Sequence, residues 1–210
     1  TKMQQADATS WMALFALNML RMSLELVKEN PSYEDLVAKF FKQFLNIGWS
    51  MNNISGKDVS LWDDDEGFYY DVVQMEDGRT SRLKVRSLVG IIPLFAVEVI
   101  HKDLIDNLKE FKAIVQGIIR TRPDLASLIS RIEEENKDGY YLFSIMRAYR
   151  LGHILKKLLD EDEFLSPYGI RSLSKYHKEN PFVFDHHGKH KIEYVSGESD
   201  TGMFGGNSNW

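Results

Sequence analysis

Apolar positions recur along this chain mostly at helical spacing, but not in one manner. From Trp11 to Val27 the apolar residues are Trp11, Met12, Leu14, Phe15, Leu17, Met19, Leu20, Met22, Leu24, Leu26 and Val27. They cover nearly every face of a helix running from about Ser10 to Lys28, which predicts a helix buried on most sides. Asp7 or Thr9 can cap its start. Pro31-Ser32 restarts the chain into a second helix, with Ser32 as cap and Asp35 in the first turn, where the helix dipole favours an anion. There Leu36, Val37, Phe40, Phe41, Phe44, Leu45 and Ile47 fall on a single stripe. A buried helix and an amphipathic one joined by a short Asn-Pro turn form a helical hairpin.

The period then changes. Asn52–Asp65 reads as a polar loop. The runs Gly67–Val73 and Ser81–Val85 flank Glu76-Asp77-Gly78-Arg79, and Asp-Gly between aromatic and β-branched runs signals a β-hairpin. Helical spacing resumes over Val89–His101, with Pro93 near the start, and over Asp103–Arg120, Asp124–Glu134 and Leu142–Asp160. The last of these ends in Lys156-Lys157, cations suited to a helix C-terminus. From Glu163 onward the chain reads mostly as loop, and long loops often carry function. No strict repeat occurs; the recurring unit is the helix pair.

Composition narrows the choice. With 43% hydrophobic and 27% charged residues in 210, the chain suits a soluble globular domain with a good core. A net charge of −5 argues against a nucleic-acid surface, which would carry a basic patch. Zero cysteines exclude disulfides, thiolate metal sites and a cysteine nucleophile, and fit a cytoplasmic protein. No membrane span is expected, because even Trp11–Leu26 is interrupted by Asn18, Arg21, Ser23 and Glu25. The start lacks the charged and apolar regions of a signal peptide. Together with a functional-looking loop at the other end, this reads as an internal segment of a larger protein.

That terminal loop, Glu198–Trp210, holds three glycines, two carboxylates, two amides after Gly206 and a final tryptophan. Glycines allow close backbone approach, amides both donate and accept, and Trp offers a flat apolar face. These are the materials of a polyol-binding loop. On residue type alone, Glu198 and Asp200 are candidates for an acid/base pair. Asn207, Asn209 and Trp210 are candidate ligand contacts, or else close the loop by hydrogen bonds. Two metal readings fail on spacing. Asp63-Asp64-Asp65-Glu66 lacks the glycine and ligand order of a calcium loop and suits a turn with solvated acids. Asp185-His186-His187-Gly188-Lys189-His190 lacks a zincin pattern. No metal or cofactor is expected.

Four blocks in order, Gln5–Met12, Leu61–Asp71, Ser166–Leu173 and Gly205–Trp210, carry a resemblance. The second reads Leu-Trp-Asp-Asp-Asp-Glu-Gly-Phe-Tyr-Tyr-Asp and the third Ser-Pro-Tyr-Gly-Ile-Arg-Ser-Leu. Together they resemble glycoside hydrolases of the mannosyl-oligosaccharide glucosidase type, family 63, and the second is also similar to trehalases. The resemblance implies a mainly α fold: a partial (α/α)₆ barrel of helical hairpins with one small β-hairpin insertion. Residues 1–210 would be part of a single domain, truncated at both ends. It further implies inversion by an Asp general acid and a Glu general base, both outside this chain. Such a pair stands about 6.5–9.5 Å apart.

On this resemblance Asp7 contacts sugar hydroxyls, although an N-cap explains it equally. Trp11 stacks on a sugar ring or sits in the core. Arg171 meets sugar hydroxyls, holds a catalytic loop or forms a salt bridge. Trp62, Tyr69 and Asp71 are structural. The implied function is a segment of an inverting hydrolase of α-glucosidic or related α-linked sugars, inactive alone, whose partners are a carbohydrate and the rest of its own barrel. A non-catalytic carbohydrate-binding or scaffold module, a helical repeat scaffold, and sugar transfer as in phosphorylases are the alternatives. A partial barrel would also leave the Ser10–Lys28 helix with exposed apolar faces. At about 25 cal/mol per Å², several hundred Å² of lost burial would cost on the order of 10 kcal/mol, so the isolated chain is expected to be marginally stable.

Overall fold

A computed structural model describes residues 2–54, 59–126, 136–185 and 188–196. In chain order its elements are β1 (Lys2–Gln4), α1 (Ala6–Glu29), α2 (Glu34–Asn52), β2 (Trp62–Asp63), β3 (Phe68–Tyr69), β4 (Asp71–Gln74) and β5 (Thr80–Leu83). There follow β6 (Val97–His101), α3 (Lys109–Thr121), α4 (Pro123–Ala126), β7 (Tyr140–Ser144), α5 (Ala148–Leu158), β8 (Leu165–Ser166), β9 (Gly169–Ile170), β10 (Phe182–Asp185) and β11 (Lys189–Ile192). Short 3₁₀ turns at Pro31–Tyr33, Leu88–Gly90, Ile92–Phe95, Lys102–Leu104 and Lys175–Lys178 join them. No helix among the described residues is long and apolar enough to cross a membrane.

The first helices and the first hairpin follow their sequence signals. The cap is Asn30 and not the expected Ser32: Asn30 accepts the Ser32 N–H at the start of the Pro31–Tyr33 turn, and α2 begins at once with Glu34 and Asp35 in its first turn and no side-chain cap of its own. The β4–β5 hairpin pairs Asp71 with Leu83 through Gln74 with Thr80. Its turn closes from the Met75 N–H to the Arg79 carbonyl at 2.8 Å, and Gly78 takes φ 83°, where glycine is strain-free.

The expected mainly α fold, a partial (α/α)₆ barrel with one β-hairpin insertion, is overturned. The described residues form five small antiparallel sheets: β1-β4-β5, β2-β3, β6-β7, β8-β9 and β10-β11. Two expected helices give way to strands for a clear reason. In the predicted Val89–His101 helix only the 3₁₀ turns Leu88–Gly90 and Ile92–Phe95 form, the second holding Pro93, and beyond them the β-branched Val97, Val99 and Ile100 favour an extended chain. This segment pairs as β6 with Tyr140–Ser144, Val97 opposite Ser144 and His101 opposite Tyr140. The predicted Leu142–Asp160 helix therefore starts only at Ala148. The supposed loop after Glu163 contains four short strands and a 3₁₀ turn.

By its contacts the chain divides into two compact units. One comprises the residues up to 7, residues 61–92, and the chain from 149 onward; the other comprises 8–60 and 93–148. The second unit is an apolar assembly. Phe41 is fully buried, and its ring meets Phe111 at 5.1 Å and Phe143 at 6.0 Å, both edge-on, the favoured aromatic geometry. The Glu34 carboxylate accepts the Phe111 N–H at 3.0 Å, satisfying one of the open donors at the start of α3. Along α1, Ala13, Ala16, Leu17, Leu20 and Leu24 are buried. Met12, Phe15, Met19, Met22 and Leu26 on another face of the same helix are exposed, so the helix is not buried on most sides here.

The first unit is built differently. Trp62, Phe68, Tyr69 and Tyr70 are each at most 2% exposed. Trp62 meets Tyr69 at 4.9 Å, and Phe68 stacks on Phe164 at 5.9 Å. Between these rings lie charged groups, and those groups define the region of interest.

Candidate functional site

The Ser166–Leu173 block forms a tight hairpin. Ser166 Oγ donates to the Gly169 carbonyl at 2.8 Å and accepts the Tyr168 N–H at 3.2 Å. Gly169 sits at φ 121°, a region closed to residues with a Cβ. β8 and β9 pair across this turn, and Tyr168 projects from its tip, 88% exposed. Behind it, Arg171 is only 9% exposed. Its Nη1 donates to the carbonyls of Glu161 at 2.8 Å, Glu163 at 3.1 Å and Leu165. Arg171 thus gathers three backbone acceptors into an arc and fixes the hairpin base.

A second arginine organises what lies beneath. Arg86 Nη2 donates to Glu66 at 2.6 Å and Nη1 donates to Glu163. Its guanidinium lies 3.9 Å from the Tyr176 ring centroid. Glu163 also accepts from Ser174 Oγ and lies 3.7 Å from Lys157. Glu66 accepts from Tyr70 at 3.3 Å and lies 3.6 Å from Lys84. Lys84 reaches on to Asp63 at 3.2 Å, and Asp63 Oδ1 accepts the N–H groups of Asp65 and Glu66 at 3.1 and 3.0 Å. The hydrogen bond and charge of Arg86 hold the Glu66 carboxyl below its ordinary value. For Asp63, burial pushes the pKa up, but the Glu66 N–H and Lys84 outweigh it and the net shift is downward. Burial pushes the Lys157 ammonium down, with the nearby Arg86 charge adding to it.

His177 completes the network. It is buried, and its Nε2 accepts the Arg86 backbone N–H at 2.8 Å. The lone pair needed there leaves the proton on Nδ1, which faces the Asn180 carbonyl at 2.9 Å. Burial, opposed by the Asn180 bond and aided by Arg86, lowers its pKa. Protonation would set a second N–H against that of Arg86. Chemically this cluster is a brace: its carboxylates face cations, its histidine is neutral and engaged at both nitrogens.

A third group surrounds Arg150. The guanidinium, 8% exposed, lies 5.0 Å from the Trp62 ring, donates to Tyr149 Oη at 2.9 Å and to Tyr69 Oη at 3.2 Å. Beside it, Gly67 at φ 61° approaches His153; a Cβ there would stand 2.7 Å from Nδ1.

The predicted site residues fall in separate places. Asp7 is half-buried in the first turn of α1. The α1 N–H of Ala6 is instead accepted by Asp71 at 2.7 Å. Burial raises the Asp71 pKa, that N–H opposes the rise, and the neighbouring Asp7 charge adds to it. Trp11 is half-buried and stacks on Phe95 at 5.9 Å. Arg171 is in the hairpin base, as described. Glu198, Asp200, Asn207, Asn209 and Trp210 lie outside the described residues, as do His186 and His187. His190 is exposed on β11 opposite Phe184, and among the described residues no group of three acidic, histidine or cysteine side chains is placed to hold a metal.

Arg86, Glu163, His177 and Arg150 were not singled out by the sequence. Arg86 lies 20 residues from Glu66 and 77 from Glu163, too far for any local pattern. Trp62–Glu66 does lead into a hairpin turn with Asp64 and Asp65 exposed, but Asp63 is 3% exposed and Glu66 is paired with Arg86 and Lys84. In the second unit a cavity of about 350 Å³ lies against α3 and β7, lined by Phe111, Val115, Ile119 and Phe143 with Lys112 and Tyr141 among the polar groups. None of the predicted site residues lines it.

No family model matches the chain. It is 44% identical over 221 aligned residues to a Saccharomyces cerevisiae protein described as "Uncharacterized protein YMR196W". The match covers 99% of this chain and 20% of that relative. The chain thus spans about a fifth of the length of the curated relative it matches.

Proposed function

We propose that the chain is a segment of an inverting glycoside hydrolase acting on α-glucosidic or related α-linked sugars, with the general acid and base supplied from outside residues 1–210. The observation that carries this reading is the braced hairpin of the Ser166–Leu173 block, which holds Tyr168 out at 88% exposure while Arg171 fixes its base. A phenol ring offers an apolar face for sugar C–H groups and a polar tip for hydroxyls. A platform of that kind works only if rigid, because ordering a loose loop would oppose binding. The Arg86 network supports the placement of the general acid elsewhere. Glu66 and Asp63 are held ionised and cation-bound, and a proton donor needs the reverse. The absence of cysteine supports a cytoplasmic setting for the enzyme.

The test uses the full-length parent protein on α-linked glucose and mannose disaccharides, following by NMR the anomer first released. The β-anomer is expected, with Tyr168→Ala raising KM by up to about tenfold. Release of the α-anomer would exclude inversion. Saturable disaccharide binding without turnover, lost in Tyr168→Ala, would favour a non-catalytic carbohydrate-binding module instead.

A further inference from the structure

The stretch of chain at 171–180 is clasped from two sides. Towards the chain after β5, His177 Nε2 accepts the Arg86 N–H at 2.8 Å, and the Arg86 carbonyl accepts the Ser174 N–H at 2.8 Å. Beside them Ser87 pairs with Leu173, and the Leu88 N–H reaches the Ser172 carbonyl at 2.9 Å. Towards the chain after α5, Ser174 Oγ donates to the Glu163 carboxylate. There the Lys175 N–H meets the Glu163 carbonyl at 3.0 Å and the Arg171 N–H meets the Phe164 carbonyl at 2.8 Å. Ser174 also caps the 3₁₀ turn that carries His177, accepting the Tyr176 N–H at 3.0 Å. Both Ser174 and His177 are at most 2% exposed. The His177 turn, the Arg86 clasp and the base of the Tyr168 hairpin are thereby tied into one piece.

We propose that His177 is a proton-operated latch of this hairpin: neutral, it seats its turn against Arg86, and protonated, it unseats the turn and frees the hairpin base that presents Tyr168. Only a neutral ring offers the lone pair that the Arg86 N–H requires, because an imidazolium is a donor at both nitrogens. Turning the ring over offers no escape, since either nitrogen would then set an N–H against that of Arg86. At 2% exposure the ring is too enclosed for solvent to accept the added N–H, and leaving buried donors unsatisfied is costly. The ring is relieved by carrying its turn outward, which takes Ser174 from both Arg86 and Glu163. The charges bearing on the ring divide. Arg86, from the chain after β5, opposes protonation, while Glu163, from after α5, and Glu66, from the β2–β3 turn, favour it. Lys157 of α5 lies against Glu163 at 3.7 Å, Lys175 pairs with Asp162 at 2.7 Å and Lys178 is exposed. Tyr176 presents its ring at 5.4 Å, and the Tyr194 N–H donates to the His177 carbonyl at 3.3 Å. The seated ring binds a proton less readily than an ordinary histidine, and an unseated ring regains the ordinary affinity, so acid shifts the population towards the open hairpin. The use of the latch, withdrawing the Tyr168 platform in acid, rests on the carbohydrate reading above; the motion itself does not.

Amide hydrogen exchange in the full-length parent protein reads the latch without any substrate. Exchange is followed by mass spectrometry at about pH 7.5 and about pH 5, with labelling times scaled for the intrinsic pH dependence of exchange. The peptides compared cover residues 164–177 and the β4–β5 hairpin. On acidification, protection over 164–177 is expected to fall at least about tenfold while β4–β5 changes by less than about twofold. His177→Gln supplies a side-chain acceptor that does not titrate, and it is expected to keep its protection at both pH values. Unchanged protection over 164–177 in the unaltered protein would overturn the latch. So would an equal loss over β4–β5, which is unfolding of the whole unit, and so would a loss that persists in His177→Gln, which assigns the response to another group such as His153. Should the variant fail to fold, the contrast between the two segments of the unaltered protein decides alone. The carbohydrate reading is judged separately by the anomer released: a hairpin that opens in acid in a protein without sugar turnover supports the latch and removes only its use.

Discussion

The two units reach order by opposite means. In the second, fully buried Phe41 is met by other rings, and neighbours need only fill space. In the first, half-buried Arg86, Glu66, Glu163 and Lys157 and buried Asp63 and His177 are linked by bonds that must each find a partner. Burying apolar surface is nearly non-directional, so a lost group costs its own contacts and the void it leaves. Burying ions is costly unless every one is compensated, so a lost group strands those that remain. The first unit therefore has fewer acceptable alternatives, and the hairpin carrying Tyr168 is attached to that less tolerant side.

The sharpest way to break the comparison is Arg86→Met. It takes the shared guanidinium from Glu66 and Glu163 together, leaving them only Lys84 and Lys157 at 3.6 and 3.7 Å, and a loss of about 3 kcal/mol in urea denaturation is expected. The companion triple variant Arg86→Met, Glu66→Met, Glu163→Met should lose less than the single one, because both carboxylates go with their arginine, Lys84 keeps Asp63 and Lys157 alone gives up its carboxylate neighbour. If it loses more, the network stabilises through its ion pairs and the contrast drawn above fails. Phe41→Ala is the matching test in the apolar unit, expected at about 3 kcal/mol with an unchanged denaturant slope.

A smaller effect should appear with pH. His177 has its folded-state pKa below the ordinary value of 6.5, so the unfolded chain binds a proton more readily than the folded one. Its contribution to stability is complete above about pH 6.5 and is lost as the pH falls below that value and through the folded-state pKa. Thermal melts between pH 7.5 and 5 should show this decline, and His177→Gln should flatten it. An undiminished slope in the variant would assign the decline to other groups. Smallest of all is the cap of α1. Asp71→Ala should cost about 1 kcal/mol by removing the acceptor for the Ala6 N–H. Asp71→Asn keeps that acceptor without a buried charge and should be close to neutral.

Legibility in the sequence followed range. α1, α2 and the β4–β5 hairpin depend on neighbours within a few residues, and periodicity, the Asn-Pro turn and Asp77-Gly78 disclose them. β6 and β7 depend on each other across some forty residues of chain. Val97-Glu98-Val99-Ile100 was read by its apolar content as helix although its β-branched residues and the upstream Pro93 pointed the other way. The site divides in the same manner. The Ser166–Leu173 block announced itself, including Arg171, whose use as a loop brace was among the open readings. The Arg86 network did not, because its partners meet only once the chain has folded, and the acids at 63–66 look alike until burial separates Asp63 from Asp65.

Gly90 shows how one missing side chain shapes a lineage. A Cβ at this buried position would run into the ring of Phe68 and the backbone carbonyl of Tyr69, and a carbonyl cannot swing aside as a side-chain tip can. Every single-base change in a glycine codon that alters the residue adds at least that atom or stops the chain. Position 90 is thus closed to gradual drift: descendants of this sequence either keep glycine or first move the strand beside it, so the residue is a marker by which distant copies of this unit can be aligned.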